Sequence, residues 1–359
     1  MNFTHGGNVF AMARRLGVPP EEILDFSASI NPLGPPAGVR EVVATAFDRL
    51  GHYPDGGCTE LTVALARHHG VDPANVCVGN GSTELIFLLP RLIAGDRALI
   101  IAPTFSEYAA ALDRAGWRHD MLVLPEAGRF PLSTSAVRDR LAGGYDLLVL
   151  CNPGNPTGRL YGKGEVAELL EVCRGNGTLL VLDEAFMDFC EEESAKGVVI
   201  GSGGGVVLRS MTKFYGFPGL RLGYALAASP QAERLAALRP PWGVGTLAQA
   251  AGVAALADAA HAGRTRAWLL EERDFLAGGL GRLPGVTVYP GAANYLLARL
   301  DSPLTAAGLQ ERLLSRRILI RDCANFHGLD GRFFRVAVRT REENGLLLAA
   351  LGDLLREAR

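Results

Sequence analysis

The feature that most narrows the choice of fold is an alternation running from Val39 to about Ala260. Short apolar runs at 76–78, 98–102, 147–150, 179–182, 206–208 and 224–227 are separated by longer stretches of helical period, among them 59–69, 107–115, 165–174 and 247–259. A strand that is apolar at every position must be covered on both faces. Helices crossing over both sides of a mostly parallel sheet provide that cover. The pattern therefore predicts an α/β large domain, a mostly parallel sheet flanked by helices. In such sheets ligands sit beyond the carboxyl ends of the strands, so the residues that follow each apolar run carry the functional information.

Beyond Arg264 the pattern changes to a long charged helix, strands at 286–289, 294–298 and 333–338, a helix at 304–315 and a closing helix at 342–359. This predicts a smaller α+β domain, made of 1–43 and 262–359, beside a large domain of 44–261. Two domains also suit a chain of 359 residues. The N-terminal segment has a helical stretch at 9–16, then turns at Asn31-Pro32 and Leu33-Gly34. A net charge of -2 gives no electrostatic case for nucleic acid or for an acidic membrane surface. Cys58, Cys77, Cys151, Cys173, Cys190 and Cys323 lack CxxC spacing, which argues against a zinc knuckle or a disulfide framework. His68 and His69 are adjacent on a helix and cannot share a metal, so no metal is expected. No apolar run reaches spanning length, and the first residues lack the regions of a signal peptide. The expectation is a cytoplasmic protein acting on a small molecule.

The strand ends hold a coherent set of polar groups. After 78 comes Gly79-Asn80-Gly81-Ser82-Thr83, opening an apolar helix whose exposed N–H groups and dipole suit a phosphate. The segment lacks the third glycine and later acidic residue of a dinucleotide fingerprint, which disfavours a dehydrogenase. The run at 98–102 leads to Phe105, an aromatic that either stacks on a planar ligand or joins the core. The run at 147–150 delivers two Asn-Pro turns, a rigid polar corner from which Asn155 offers its amide. At 179–182 the chain ends in Asp183-Glu184. Asp183 suits a protonated ring nitrogen, and Glu184 reads as a cap or loop residue. A glycosidase or two-metal reading of these carboxylates lacks a partner pair and histidine ligands.

Ser210, Lys213 and Arg221 close the series. A neighbouring cation or desolvation lowers a lysine's pKa and makes its amine a nucleophile, while Ser210 and Arg221 would hold a phosphate beside it. Arg335 and Arg339 lie four apart on an expected strand and share a face, which favours recognition of a carboxylate or phosphate. His5, beside Gly6 and Gly7, is either a frayed terminal residue or part of a flap over a bound anion.

Together these residues resemble the fold-type I pyridoxal-phosphate enzymes over essentially the whole chain. The resemblance implies pyridoxal 5'-phosphate as cofactor, Lys213 as the Schiff-base lysine, Asp183 on the pyridine nitrogen and Asn155 on the ring oxygen O3′. It also implies Phe105 stacking on the ring, with Ser82, Thr83, Ser210 and Arg221 on the phosphate. Tyr53-Pro54 resembles the tyrosine that reaches the phosphate from a partner subunit, which implies a homodimer with sites near the interface. Arg335 matches the arginine that receives the substrate's α-carboxylate.

Within that family His5-Gly-Gly-Asn8, the segment 25–34, Gly79-Asn-Gly81, and the segments 321–326 and 335–340 are similar to the threonine-phosphate decarboxylases of cobalamin biosynthesis. Histidinol-phosphate aminotransferases are the nearest relatives of that branch. The resemblance implies decarboxylation of a small phosphorylated amino acid, L-threonine O-3-phosphate, to (R)-1-amino-2-propanol O-2-phosphate. Arg335 and Arg339, with Asn155 beside them, would position the substrate, and His5, Asn31 or Arg321 would anchor its phosphate. The alternatives are transamination of histidinol phosphate or a related amino acid, and a cofactor- or phosphate-binding protein without turnover. The aminotransferases usually carry a tyrosine where this chain has Phe186, which favours the decarboxylase.

Overall fold

A computed structural model describes residues 5–301 and 303–357. In chain order the first eight strands are β1 (Leu24–Asp25), β2 (Val76–Gly79), β3 (Arg97–Ala102), β4 (Arg118–Val123), β5 (Leu147–Cys151), β6 (Leu179–Asp183), β7 (Gly205–Ser210) and β8 (Gly223–Ala227). Strands β2 to β8 form one seven-stranded sheet in the order β2-β8-β7-β6-β5-β3-β4. Neighbours from β7 across to β4 are parallel, and β8 alone runs antiparallel to both β7 and β2. The mostly parallel sheet expected from the apolar runs is present.

The reason lies in burial. Every residue of β2, β5, β7 and β8 is buried, so each strand must be apolar on both faces. Alternate side chains feed two clusters. Leu148, Leu150, Leu180, Leu182 and Val207 join one, while Leu147, Val149, Val181, Val206 and Leu208 join the other. Each such side chain contributes about 1.5–3 kcal/mol by leaving water. Strand β4 is the more exposed of the two sheet edges, and its apolar run is confined to Met121, Leu122 and Val123. It opens with Arg118, His119 and Asp120 and is exposed at both ends, which hid it from a search for continuous apolar segments.

Buried polar residues break the apolar rule where β6 and β7 end: Asp183, Arg209 and Ser210. Arg209 on β7 is fully buried and donates to Glu184 and Asp188 at 3.0 Å each, with Glu191 as a third carboxylate partner. Glu184 also accepts from Ser194 Oγ at 2.6 Å and from the backbone N–H of Ala195 at 2.9 Å. The cap or loop role read for Glu184 from sequence gives way to this ion network. The signal was a lone charge directly after the apolar run 206–208, which sequence reasoning passed over.

The remaining strands are β9 (Val286–Val288), β10 (Tyr295–Leu300), β11 (Ile318–Leu319), β12 (Arg321–Asp322) and β13 (Phe333–Ala337). Four of them make an antiparallel sheet in the order β12-β13-β10-β9. β1 pairs in parallel with β11, Leu24 opposite Ile318, so the N-terminal segment is stitched to the C-terminal part. The long helix spans Ala259–Gly281, its start capped by Asp258 accepting from the His261 N–H. The closing helix spans Arg341–Glu357, and the last two residues of the stretch expected to be helical lie outside the described residues. No helix among the described residues is long and apolar enough to cross a membrane. All six cysteines are buried free thiols.

Candidate active site

A cavity of about 490 Å³ opens where the carboxyl ends of β5, β6 and β7 meet β12, β13 and the N-terminal arm. Its walls include Lys213, Asp183, Asn155, Phe105 and Ser210, and, at one end, Ser82, Thr83 and Arg221. His5, Arg321 and Arg335 also line it. The fold thus gathers eleven residues singled out by their strand-end positions or motifs.

The end formed by Ser82, Thr83 and Arg221 is built for an anion. Gly81 begins the helix Gly81–Leu88 with a positive φ of 74°, and a Cβ placed there would lie 2.6 Å from Arg221 Nη2. Arg221 itself has a φ of 55°, in the left-handed region that a branched or long side chain enters at a cost. A guanidinium is thereby held against a helix N-terminus, and both carry positive charge. An anion between them removes the repulsion. Gly81→Ala, which brings both a disfavoured φ and a clash with the guanidinium, is expected to weaken phosphate-group binding at least about tenfold while costing roughly 1–3 kcal/mol of stability. Titration of the cofactor into the apoprotein and a thermal melt read the two effects.

Lys213 sits at the centre. Its Nζ donates to Thr212 Oγ1 at 2.8 Å, and that oxygen is 2.8 Å from Ser210 Oγ. Burial, reinforced by the Arg221 and Arg335 charges and opposed by Asp183, lowers the lysine to about 8. Asp183, at the end of β6, is buried. Its Oδ2 accepts from Tyr108 Oη at 2.6 Å and its Oδ1 from the Ala185 N–H at 2.9 Å. Burial raises the carboxyl above its usual range, and those hydrogen bonds act against it. Phe105 borders the cavity edge-on to Tyr108, with ring centres 5.9 Å apart. Phe186 forms part of the wall, 5.9 Å from Lys213 Nζ to its ring centre, and brings no hydroxyl there.

Asn155 and Arg335 are joined directly, the guanidinium Nη1 donating to the amide Oδ1. Arg335 Nη2 donates to the Ser27 carbonyl at 2.9 Å, and the guanidinium lies 4.9 Å from the Tyr295 ring centre. These partners are all neutral, so the charge of this buried arginine is not cancelled by a bonded carboxylate. Arg321 Nη2 donates to Asn325 Oδ1 at 2.8 Å, and its guanidinium lies 5.2 Å from the Phe326 ring centre. His5 Nε2 is 2.9 Å from Glu107 Oε1 at the mouth. Three arginines (Arg221, Arg321 and Arg335), joined by Lys213 when it is protonated, share this cavity with two aspartates, Asp25 and Asp183. A ligand carrying more than one negative charge is favoured.

Two expected site residues, Arg339 and Asn31, are placed elsewhere, and Tyr53, expected at a partner subunit's cavity, stands outside that of its own chain. Arg339 lies past the end of β13, so it does not share a strand face with Arg335. Its Nη2 pairs with Glu343 at 2.7 Å, its Nη1 donates to the Asp25 carbonyl at 3.2 Å, and it does not line the cavity. Asn31 is buried beneath the lysine turn. Its Nδ2 donates to the Phe214 carbonyl at 2.8 Å and to Thr265 Oγ1 at 3.0 Å, while its Oδ1 accepts from the Leu33 N–H. Its own N–H donates to the Lys213 carbonyl at 3.0 Å, so it braces the turn and leaves no group for a substrate phosphate. Tyr53 is 79% exposed and stacks on Trp242, ring centres 4.6 Å apart, in a separate hollow shared with Asp55 and Gln249. Sequence reasoning in turn missed Tyr108 and Ser27. The one signal for Tyr108 was its place three residues after Phe105, and Ser27 contributes to Arg335 only through its backbone.

Residues 21–351 match the family described as aminotransferase class I and II. Over 356 residues the chain is 43% identical to the threonine-phosphate decarboxylase of Salmonella typhimurium, covering 99% of this chain and 97% of that protein. Among solved structures, the histidinol-phosphate aminotransferase from Clostridium acetobutylicum is similar with a TM-score of 0.88 at 28% identity, over 93% of this chain and 100% of that one. The L-threonine-O-3-phosphate decarboxylase from Porphyromonas gingivalis has a TM-score of 0.82 at 30% identity, over 93% and 100% of the two chains. One backbone thus serves proteins named for two reactions, and what distinguishes them lies in side chains. From the match over nearly its whole length and the arrangement around Lys213, the chain belongs to the aminotransferase class I and II family.

Proposed function

We propose that this protein is a pyridoxal-phosphate-dependent decarboxylase of L-threonine O-3-phosphate, forming (R)-1-amino-2-propanol O-2-phosphate in cobalamin biosynthesis. The observation that carries the reading is the 43% identity with a threonine-phosphate decarboxylase over almost all of both chains. The cavity agrees with it in charge, since cofactor and substrate each bring a phosphate and the substrate adds a carboxylate.

The residues present fit the cofactor. The Gly81 turn, Ser82, Thr83, Ser210 and Arg221 would hold its phosphate, Asp183 its ring nitrogen, Asn155 its ring oxygen, and Lys213 its aldehyde carbon. Phe105 would cover the ring. Bound there, pyridoxal phosphate supplies a sink for the electron pair left when a bond to the substrate Cα breaks. The protein's own contribution is to choose that bond. Arg335 receives the α-carboxylate, while Arg321 and His5 take the phosphate at the far end, and two fixed ends set the orientation of Cα. Carbon dioxide departs without the bonding pair, and Lys213 Nζ returns a proton to Cα. Its lowered pKa suits it to passing a proton near neutrality. Phe105, Phe186 and Phe326 in the walls limit water near the reacting carbon.

We infer further that the small domain of 1–43 and 262–359 closes on the large domain of 44–261, an arrangement supported by the pairing of β1 with β11. Tyr53 reaches the phosphate of a partner subunit in a homodimer, which is consistent with its distance from its own chain's cavity and its exposure. A biosynthetic role and the lack of a membrane-spanning helix among the described residues support a place in the cytoplasm.

The holoenzyme given L-threonine O-3-phosphate is expected to release carbon dioxide stoichiometrically without a keto-acid acceptor. The second reading, amino transfer from histidinol phosphate, rests on the TM-score of 0.88 with an aminotransferase. Turnover only with histidinol phosphate and 2-oxoglutarate would establish that reading instead. A visible cofactor band without turnover on either substrate would point to a binding protein.

A further inference from the structure

Tyr108 lies on the first turn of the helix Glu107–Arg114, is 2% exposed, and gives its hydroxyl proton to Asp183 Oδ2 at 2.6 Å. The other hydrogen bond to this carboxylate comes from the Ala185 backbone. A buried carboxylate drifts toward its neutral acid unless donors hold the charge. The titratable groups around Asp183 are Tyr108 from the helix, Cys151 from the end of β5, Lys213 from the turn after β7, and Tyr295 from β10. Lys213 is the one cation among them, and its charge and position change as it exchanges covalent partners. Tyr108 is the side-chain donor that stays. Burial and the Asp183 charge keep the phenol well above its ordinary value, so it retains its proton throughout the working range.

We propose that Tyr108 is a positioning residue for the cofactor's ring nitrogen: its hydroxyl holds Asp183 in the anionic form and fixes the carboxylate plane that the protonated nitrogen must meet. The proposal rests on the pyridoxal-phosphate reading above. The competing account is that a buried tyrosine hydroxyl needs some acceptor. That need is met equally by a backbone carbonyl, whereas here the acceptor is the carboxylate of the site itself.

The test uses holoenzyme reconstituted with pyridoxal phosphate labelled with nitrogen-15 in the ring, whose chemical shift reports protonation of that nitrogen directly. Tyr108→Phe keeps the ring packed against Phe105 and removes only the hydroxyl. The wild-type nitrogen is expected to stay protonated to high pH. In Tyr108→Phe it is expected to lose its proton at a proton concentration at least about tenfold higher, one pH unit lower, with cofactor binding weakened about tenfold. In an Asp183→Asn background, Tyr108→Phe is expected to leave the shift unchanged, because the residue acts through that carboxylate. An unaltered titration in Tyr108→Phe, or an equal effect of the substitution with and without Asp183→Asn, overturns the proposal. So does loss of folded protein by circular dichroism, which would make the hydroxyl a support of the fold. These results are separate from the function itself: wild-type protein that binds pyridoxal phosphate and releases carbon dioxide upholds the decarboxylase whatever Tyr108→Phe does.

Discussion

Lys213→Ala is expected to lower the decarboxylation rate by about 10⁴-fold or more, with the visible absorbance of covalently held cofactor abolished and circular dichroism unchanged. Two proposed roles would vanish together, attachment of the cofactor and return of a proton to Cα. The environment makes both possible, because burial among cations brings the amine to about 8. At pH 7 roughly a tenth of such an amine is neutral, against less than about a thousandth for an ordinary lysine. Thr212 and Ser210, freed of the ammonium by the substitution, keep their mutual hydrogen bond, so the turn retains an internal tie. Added methylamine is expected to restore a small part of the rate, since it supplies the amine without the geometry. In Lys213→Ala, a near-ultraviolet pyridoxyl absorbance retained on the protein after sodium borohydride reduction and dialysis would show that another residue holds the cofactor.

Arg335→Ala is the second large effect. Its guanidinium is buried and bonded only to neutral acceptors, so its charge is available to an incoming carboxylate. Two charge-assisted hydrogen bonds of about 1.5–3 kcal/mol each set the scale, and a rise in KM of about 10²-fold or more is expected. A fall in kcat is expected as well, because an unanchored carboxylate no longer presents one bond for cleavage. Arg335→Lys is expected to recover little of this, since a point charge cannot reproduce a planar fork that reaches Asn155, Ser27 and a carboxylate at once. By contrast Arg339, already paired with Glu343, belongs to the scaffold. Steady-state kinetics on L-threonine O-3-phosphate, with a melting curve to separate misfolding, check both arginine substitutions.

The contrast between these two arginines shows what could and could not be read from residues alone. The interior strands were legible because burial on both faces leaves an uninterrupted apolar run, and the ligand-facing residues follow such runs at once. Lys213, Asp183 and Asn155, singled out in this way, line the cavity. Edge strand β4 was not legible, because its first half, Arg118, His119 and Asp120, is polar and its apolar run is only Met121 to Val123. Asn31 and Arg339 were misassigned for a different reason. Their occupation is decided by Thr265 and Glu343, and no local pattern says that a side chain from a distant segment, or from the next helix, has already taken the available hydrogen bonds. Tyr108 was missed because a tyrosine in a helix's first turn has no spacing signature. Its partner, 75 residues away, gives it meaning.

The ion network beneath β6 and β7 has a mechanical consequence. Asp183 and Ser210 face the cavity, while their chain neighbours Glu184 and Arg209 are bonded to each other on the opposite side of the sheet. Moving the two cavity residues apart therefore means pulling a fully buried cation from its carboxylates, and breaking such a pair by losing one partner costs about 3–5 kcal/mol. The wall that carries His5 and Arg335 has no such anchor: His5 is held by its pair with Glu107, by Asn8 at its carbonyl and by the Phe105 ring, and Arg335 by neutral groups. The cavity thus has an anvil and a hammer. The side that carries Arg335 is therefore the one expected to yield to substrates of different length, while the sheet holds Asp183 and Ser210 in place.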